Sequence, residues 1–227
     1  MKDFPYDLIG FDLDGTLVDS SYDLAAAVNH VLAGIGRPPL TVEQVRGNIG
    51  GGGRRMLARS LADAGVVDDP TRLDQRYTAM LNYYAEHIAD TTRLYPGVDD
   101  VLEQLATSGV ELALVTNKVE SLAMKLLGVL GIRERFAAVI GGDSVAKGKP
   151  APDPLIEMMR RCGSRRAAFV GDSEFDVAAA HAAGLPCIAV SFGFPGKPVA
   201  ELGADAVIDH FAALPKTLQS MADQAGR

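Results

Sequence analysis

Along the chain, short apolar runs alternate with longer segments of helical period, the pattern of β-α units around a parallel sheet covered on both faces. Leu8 to Leu13, Leu112 to Thr116, Ala138 to Ile140, Ala167 to Val170, Cys187 to Val190 and Ala206 to Ile208 read as strands bounded by polar or glycine-rich residues. Between them Val98 to Ser108, Ser121 to Leu130, Pro154 to Cys162 and Asp176 to Ala183 read as helices; Pro96-Gly97 opens the first and Gly184 closes the last. From Ser20 to about Arg93 the alternation breaks into several helical patterns with no convincing strand. Helices are expected there from Ser21 to Ala33 with Ser20 as N-cap, at Thr41 to Val45, from Arg54 to Ala64 and from Pro70 to His87. Gly34, Gly36, Pro38-Pro39 and Gly50 to Gly53 mark the joints.

The fold class these elements imply is α/β, a doubly wound, Rossmann-like parallel sheet core with an inserted all-helical cap. Residues 1–18 and 94–227 would form the core and 19–93 the cap. Ligands bind such sheets outside the carboxyl ends of the strands, and an insert directly after the first strand sits over that edge as a candidate lid.

Composition narrows the partners. Among 227 residues, 22 Lys and Arg stand against 29 Asp and Glu, a formal charge of −7, which argues against a nucleic-acid binder. Apolar residues at 48% suffice for one sizeable core or a core plus a satellite. Cys162 and Cys187 alone build neither a disulfide framework nor a zinc pattern, and His30, His87, His181 and His210 are too scattered for a metal site. The N-terminal residues lack the apolar stretch of a signal peptide, and no apolar run approaches the ~20 residues of a bilayer crossing. The expectation is a soluble cytoplasmic protein with no membrane partner, a monomer or small homo-oligomer.

The candidate chemistry lies at strand ends. The first strand delivers Asp12-Leu13-Asp14-Gly15-Thr16, and a second apolar run delivers Gly171-Asp172-Ser173-Glu174-Phe175-Asp176. Carboxylates converging on one edge are unstable unless a hard cation neutralises them, and Mg²⁺ suits a few carboxylates, waters and phosphate oxygens. Thr116-Asn117 adds a hydroxyl and a main-chain amide, and Lys149, stiffened by Pro150, adds a cation; both suit phosphate. Lys147 reads as a solvated loop lysine. Four glycines before Arg54-Arg55 permit close main-chain approach to an anion, which makes Gly51, Gly52, Arg54 and Arg55 candidates for substrate binding.

The ordered set DLDGT, VTN, GKPAPDP and GDSEFD resembles the signature motifs of the haloacid dehalogenase superfamily, over residues 8 to about 190. The insert is similar to the helical cap of its phosphoglycolate phosphatase subgroup. The phrases LVTNK, VIGGDSVAKGKPAPDPL and FVGDS, with AAHAAG after Asp176, look closest to those enzymes. The resemblance implies Asp12 as nucleophile, Asp14 as general acid and base, and Thr116 and Lys149 as holders of the transferring phosphoryl group. It implies Mg²⁺ on Asp172, the Asp12 carboxylate and the Asp14 main-chain carbonyl, with Asp176 completing or orienting the shell. Glu174-Phe175 departs from the arginine and asparagine that relatives often carry there.

The implied function is a Mg²⁺-dependent phosphatase for a small anionic phosphomonoester, with 2-phosphoglycolate first. An ionised aspartate needs no activating base to attack phosphorus. A phosphate dianion with Asp12, Asp172 and Asp176 carries about −5, which Lys149 alone cannot offset. Asp14 and Asp172 together argue against dehalogenation at carbon, and Leu13-Asp14 does not match the lysine and threonine of transport ATPases. A sugar-phosphate phosphatase or a phosphomutase stays open within this chemistry. A non-catalytic phosphate sensor predicts a decayed set, whereas every motif position is filled.

Overall fold

A computed structural model of the chain describes residues 4–164 and 166–225. In chain order, β1 (Leu8–Phe11) and a short β2 (Val18–Asp19) precede four helices, α1 (Ser21–Gly34), α2 (Val42–Arg46), α3 (Gly53–Asp63) and α4 (Pro70–Glu86). The chain returns through β3 (Arg93–Leu94) and continues with α5 (Val98–Thr107), β4 (Glu111–Val115), α6 (Glu120–Val129), β5 (Ala138–Ile140), α7 (Asp153–Cys162), β6 (Ala167–Gly171), α8 (Glu174–Ala182), β7 (Cys187–Val190), β8 (Ala206–Ile208) and α9 (Leu214–Ala225). Six strands form one parallel sheet in the order β5-β4-β1-β6-β7-β8.

β1 runs through the middle of that sheet because all of its residues are apolar or glycine and buried, so neither face could meet water. Alternate residues feed two apolar layers. Ile9, Phe11, Leu112, Leu114 and Val170 pack with α5, α6 and α9 on one face; Leu8, Val115, Phe169, Leu155 and Met158 pack with α7 and α8 on the other. The first layer runs on into the inserted helices through Leu57, Leu61, Met80 and Tyr84, so their apolar faces share the core's own cluster.

Register decides what meets at the carboxyl edge. Phe11 pairs with Leu114 of β4 and with Val170 of β6. One residue further, Asp12, Val115 and Gly171 come level, and the loops after these three strands open from adjacent positions.

The strands and helices expected from the sequence are found within two residues at nearly every end, and three details differ. The chain enters and leaves the inserted helices through an antiparallel ribbon, Val18 with Leu94 and Asp19 with Arg93, where no strand was expected. Two-residue strands are too short to show alternation. The helix α9 was not foreseen either, although Leu214 and Leu218 form a buried stripe one turn apart. Finally, Ser20 makes no side-chain cap to α1. Asp19 takes that role, accepting from the Ser21 amide at 3.0 Å and hydroxyl at 2.6 Å. The Ser20 hydroxyl donates instead to Asp14 Oδ1 at 2.6 Å.

Asp23, buried in the first turn of α1, ties the two crossings of the ribbon together. It accepts from the amides of Thr91 and Thr92 at 3.1 and 2.8 Å and from their hydroxyls at 2.5 and 2.6 Å. Burial alone would raise its pKa, but these donors outweigh burial and hold the carboxyl below the usual aspartate range. Asp23→Ala is expected to cost about 1.5–3 kcal/mol at neutral pH, read as a lower urea midpoint. Because the folded-state pKa lies below the unfolded value of about 3.9, the wild-type advantage is complete above that value and shrinks as pH falls through the folded pKa. A gap between the two proteins that widened towards pH 3 would contradict this sign.

Candidate active site

Asp12 leaves the core one residue beyond β1 and is only 6% exposed. Its charge is met from the loop after β5, where the Lys149 ammonium lies 2.8 Å from Asp12 Oδ1. The same ammonium donates to Asp176 Oδ1 at 2.6 Å and to the Val115 carbonyl at 2.8 Å. Burial alone would lower the lysine pKa; Asp12 and Asp176 outweigh it and raise it. Burial likewise drives the Asp12 carboxyl up, against the pull of Lys149, to about 6.

Asp172 follows β6 and is held by two loops. Its Oδ2 accepts from the Phe194 amide at 2.6 Å, and its Oδ1 from the Thr16 hydroxyl at 3.3 Å. Burial, then the charges of Asp176 and Asp12, push its pKa well up, the mark of a carboxylate short of positive charge. Asp176 stands in the first turn of α8 with both oxygens engaged: Oδ1 by Lys149, and Oδ2 by the amides of Asp172 and Ser173 and the Ser173 hydroxyl.

Carboxylate oxygens of Asp12, Asp172 and Asp176 lie within 4.8 Å of one another. Asp12 Oδ1 is buried and makes no hydrogen bond of good geometry, its partner there being the charge of Lys149 alone. Hard oxygen donors, an oxygen without a hydrogen bond and a raised Asp172 fit a small divalent cation such as Mg²⁺. Asp12 and Asp172 have ligand capacity to give it, whereas Asp176 is committed to other donors.

A second ion pair adjoins the first. The Lys118 ammonium lies 2.7 Å from each Asp14 oxygen, its side chain 7% exposed, and 4.7 Å above the Tyr84 ring. Burial would lower its pKa, and Asp14 and then Tyr84 more than compensate. Asp12, Asp14, Thr116 and Lys118 line one side of a cavity of about 50 Å³ whose other side is apolar, with Ile49, Met56 and Met80 from the inserted helices. Lys118 was not singled out from the sequence, although it directly follows Thr116-Asn117. Thr16 and the Phe194 amide were missed too; nothing in a sequence announces a main-chain donor arriving from a distant loop.

The remaining expected residues are placed as follows. Thr116 is buried at the end of β4, and its hydroxyl accepts from the Lys118 amide at 3.2 Å. Asn117 spends its side-chain amide on the carbonyls of Gly50 at 3.1 Å and Lys149 at 2.9 Å, a strut between the inserted helices and the Lys149 loop. Gly51, Gly52, Arg54 and Arg55 do not join the Asp12 and Lys149 cluster as one group. Gly52 borders the small cavity, and all four line an open cleft of about 420 Å³ that Lys149 also borders. Arg54 is paired with Asp74 at 2.6 Å in a half-exposed position, and Arg55 lies 5.0 Å from the Phe175 ring centre.

The haloacid dehalogenase-like hydrolase family model matches residues 9–190. The chain is 43% identical over 224 residues to phosphoglycolate phosphatase 1 of Pseudomonas aeruginosa, covering 96% of this chain and 80% of that protein. It is 38% identical over 210 residues to the phosphoglycolate phosphatase of Agrobacterium fabrum, covering 92% and 90%. The crystal structure of a predicted phosphoglycolate phosphatase from Haemophilus somnus superposes with a TM-score of 0.87 at 33% identity, over 94% of this chain and 98% of that one.

Lys149→Met removes the one cation that touches both Asp12 and Asp176. In chelating buffer this substitution is expected to lower stability by about 3–5 kcal/mol, measured by equilibrium denaturation. A loss below about 1 kcal/mol would mean that protons, rather than Lys149, neutralise these carboxylates.

Proposed function

The chain belongs to the haloacid dehalogenase-like hydrolase family, and from that premise we propose that it is a Mg²⁺-dependent phosphatase whose substrate is 2-phosphoglycolate. That it is a phosphoric monoester hydrolase follows from the family and from curated relatives of about 40% identity over most of the chain. The observation that carries the finer reading is the pair of adjoining ion pairs: Asp12 with Lys149, and Asp14 with Lys118.

In this reading the Asp12 carboxylate attacks phosphorus, forming an aspartyl phosphate as the ester oxygen departs. Lys149 and Thr116 hold the phosphoryl oxygens, where a preorganised charge and hydroxyl stabilise the transition state more than the ground state. For the departing glycolate oxygen to be protonated, Asp14 enters this step as the acid, its proton on one oxygen while the other still accepts from Lys118, and gives that proton up. As a carboxylate it then draws a proton from the water that cleaves the aspartyl phosphate, which frees phosphate and restores Asp12. Mg²⁺ would be held by Asp12, Asp172 and the Asp14 main-chain carbonyl and would supply charge neutralisation for the phosphate dianion. Asp176 orients Lys149 and the turn that carries Asp172. Residues 19–93 act as a cap, and its apolar wall excludes bulk water from the reacting bonds.

The lining of the cavity beside Asp12 and Asp14 favours a two-carbon leaving group over a hexose, since walls such as Met56 and Met80 offer no partners to the several hydroxyls of a sugar ring.

Phosphate release from 2-phosphoglycolate should require added Mg²⁺ and stop with a chelator. Asp12→Asn should lower turnover on the order of 10⁴-fold or more, in line with the loss of other nucleophiles. Turnover by Asp12→Asn within tenfold of wild type would exclude the aspartyl phosphate. Independently of activity, Mg²⁺ at about 100 times its dissociation constant should stabilise the wild type by about 2.7 kcal/mol. The same addition should do little for Asp172→Asn; equal thermal shifts in the two proteins would place the ion elsewhere.

A further inference from the structure

The reaction needs one cation for the phosphoryl group, and Lys149 fills that place. It leaves Lys118 without an assigned part. The Lys149 ammonium donates to the Val115 carbonyl and to Asp176, and its third proton lies on the side of Asp12, where the phosphoryl group is received. Arg54 is turned to Asp74 and Arg55 to Phe175. Among the residues that line the small cavity with Asp12 and Asp14, Lys118 is the one with a positive charge.

Two further observations bear on what Lys118 faces. Two of its three protons can be met by the Asp14 oxygens, 2.7 Å away, and the aromatic face of Tyr84 lies on another side. The Tyr84 hydroxyl is buried within reach of the Lys118 ammonium but makes no hydrogen bond of good geometry, so its own proton has no acceptor. Buried hydroxyls are nearly always paired, so an unpaired one beside a buried ammonium calls for a ligand that can accept from both. Burial drives the Tyr84 phenol up to about 12, so it stays a donor across the physiological range.

We propose that Lys118 and Tyr84 receive the carboxylate of the substrate, which makes Lys118 the specificity-determining cation of the site. The inference rests on the phosphoglycolate reading above and extends it. Asp14 must lie within hydrogen-bond reach of the ester oxygen to protonate it. In a phosphorylated 2-hydroxy acid the carboxylate is joined to that same oxygen through a single carbon. A cation that touches Asp14 is therefore within reach of the carboxylate, whereas a cation on the outer cleft is not required. Lys118 keeps its charge throughout; its partner changes from Asp14 alone to Asp14 and the substrate. Lys118 is the cation among the residues lining this cavity, so esters lacking the carboxylate leave it with Asp14 alone.

The test compares 2-phosphoglycolate with 2-hydroxyethyl phosphate, which differs by a hydroxymethyl group in place of the carboxylate. Wild type should prefer 2-phosphoglycolate by at least about 100-fold in kcat/KM, as sites built around a polar substrate group do. Lys118→Met should bring that preference to within about tenfold of unity, because turnover of 2-phosphoglycolate falls much further than that of the neutral ester. Tyr84→Phe should raise KM for 2-phosphoglycolate about tenfold. Equal losses on both esters in Lys118→Met would overturn the inference and leave Lys118 as a positioning residue for Asp14. Should Lys118→Met fail to fold by circular dichroism, Lys118→Gln carries the same comparison with a neutral donor of similar length. Failure of the underlying reading is seen separately, in the wild type: no turnover of 2-phosphoglycolate while other phosphomonoesters are hydrolysed.

Discussion

The Lys149 ammonium is the interaction on which the site depends. Three carboxylates, Asp12, Asp172 and Asp176, converge at the carboxyl edge of a sheet whose interior is apolar, and each is nearly sealed from water. Removing such charges from water costs several kcal/mol apiece, and only a buried opposite charge in good geometry offsets the cost. Lys149 supplies it between Asp12 and Asp176, anchored by the Val115 carbonyl so that it sits over the end of β4. Lys149 touches Asp12 and Asp176 but not Asp172, whose carboxyl is pushed up by burial and then by its two acidic neighbours, so a divalent cation on Asp12 and Asp172 would meet the charge that Lys149 leaves over.

Bringing these groups so close demands that the loops themselves nearly touch. Gly15 takes φ +88°, and a side-chain carbon there would fall 2.3 Å from Asp172 Oδ2. Gly193 faces the same carboxylate from the loop after β7, where a side-chain carbon would lie 2.3 Å from Asp172 Cβ and 2.5 Å from the Gly15 carbonyl oxygen. Only glycine permits both approaches. The glycine of the first motif thus serves a partner more than 150 residues away, and the turn that aims Asp14 also clears the space in which Asp172 stands.

This explains what could and could not be read from the sequence. Strand ends were legible because each apolar run stops at a residue whose chemistry contradicts burial, as at Asp12, Thr116 and Asp172. A parallel register then brings such ends level, so Asp12 and the turn before Asp172 meet with no further information. Contacts that depend on loop trajectory were not legible. Phe194 offers Asp172 a main-chain amide, which any residue could supply, and Ser20 reads as a helix cap until the ribbon after β1 turns its hydroxyl to Asp14. Arg54 and Arg55 were read as candidate anion ligands because they follow four glycines at a helix start. The structure gives Arg54 an acidic neighbour from α4, a pairing of residues 20 apart that helical period alone does not announce.

The unusual Glu174-Phe175 pair acquires a role in the same terms. Phe175 reaches the inserted helices, where the space a side chain would need at Gly50 is taken by its ring at 3.3 Å and at Gly51 by Arg55 at 2.7 Å and then the same ring at 3.3 Å. With Arg55 over that ring, it forms an apolar seat for the glycine loop, and Asn117 fastens the same loop by donating to the Gly50 carbonyl on one side and the Lys149 carbonyl on the other. Three consecutive residues at the end of β4 thus have different partners: the Thr116 hydroxyl accepts from the Lys118 amide, Asn117 ties the Gly50 loop to the Lys149 loop, and Lys118 pairs with Asp14. Because they share one short segment held by β4, the bonds that fix Asn117 to the Gly50 and Lys149 carbonyls also fix where its two neighbours stand, so the glycine loop and the strand-end groups are built on one support.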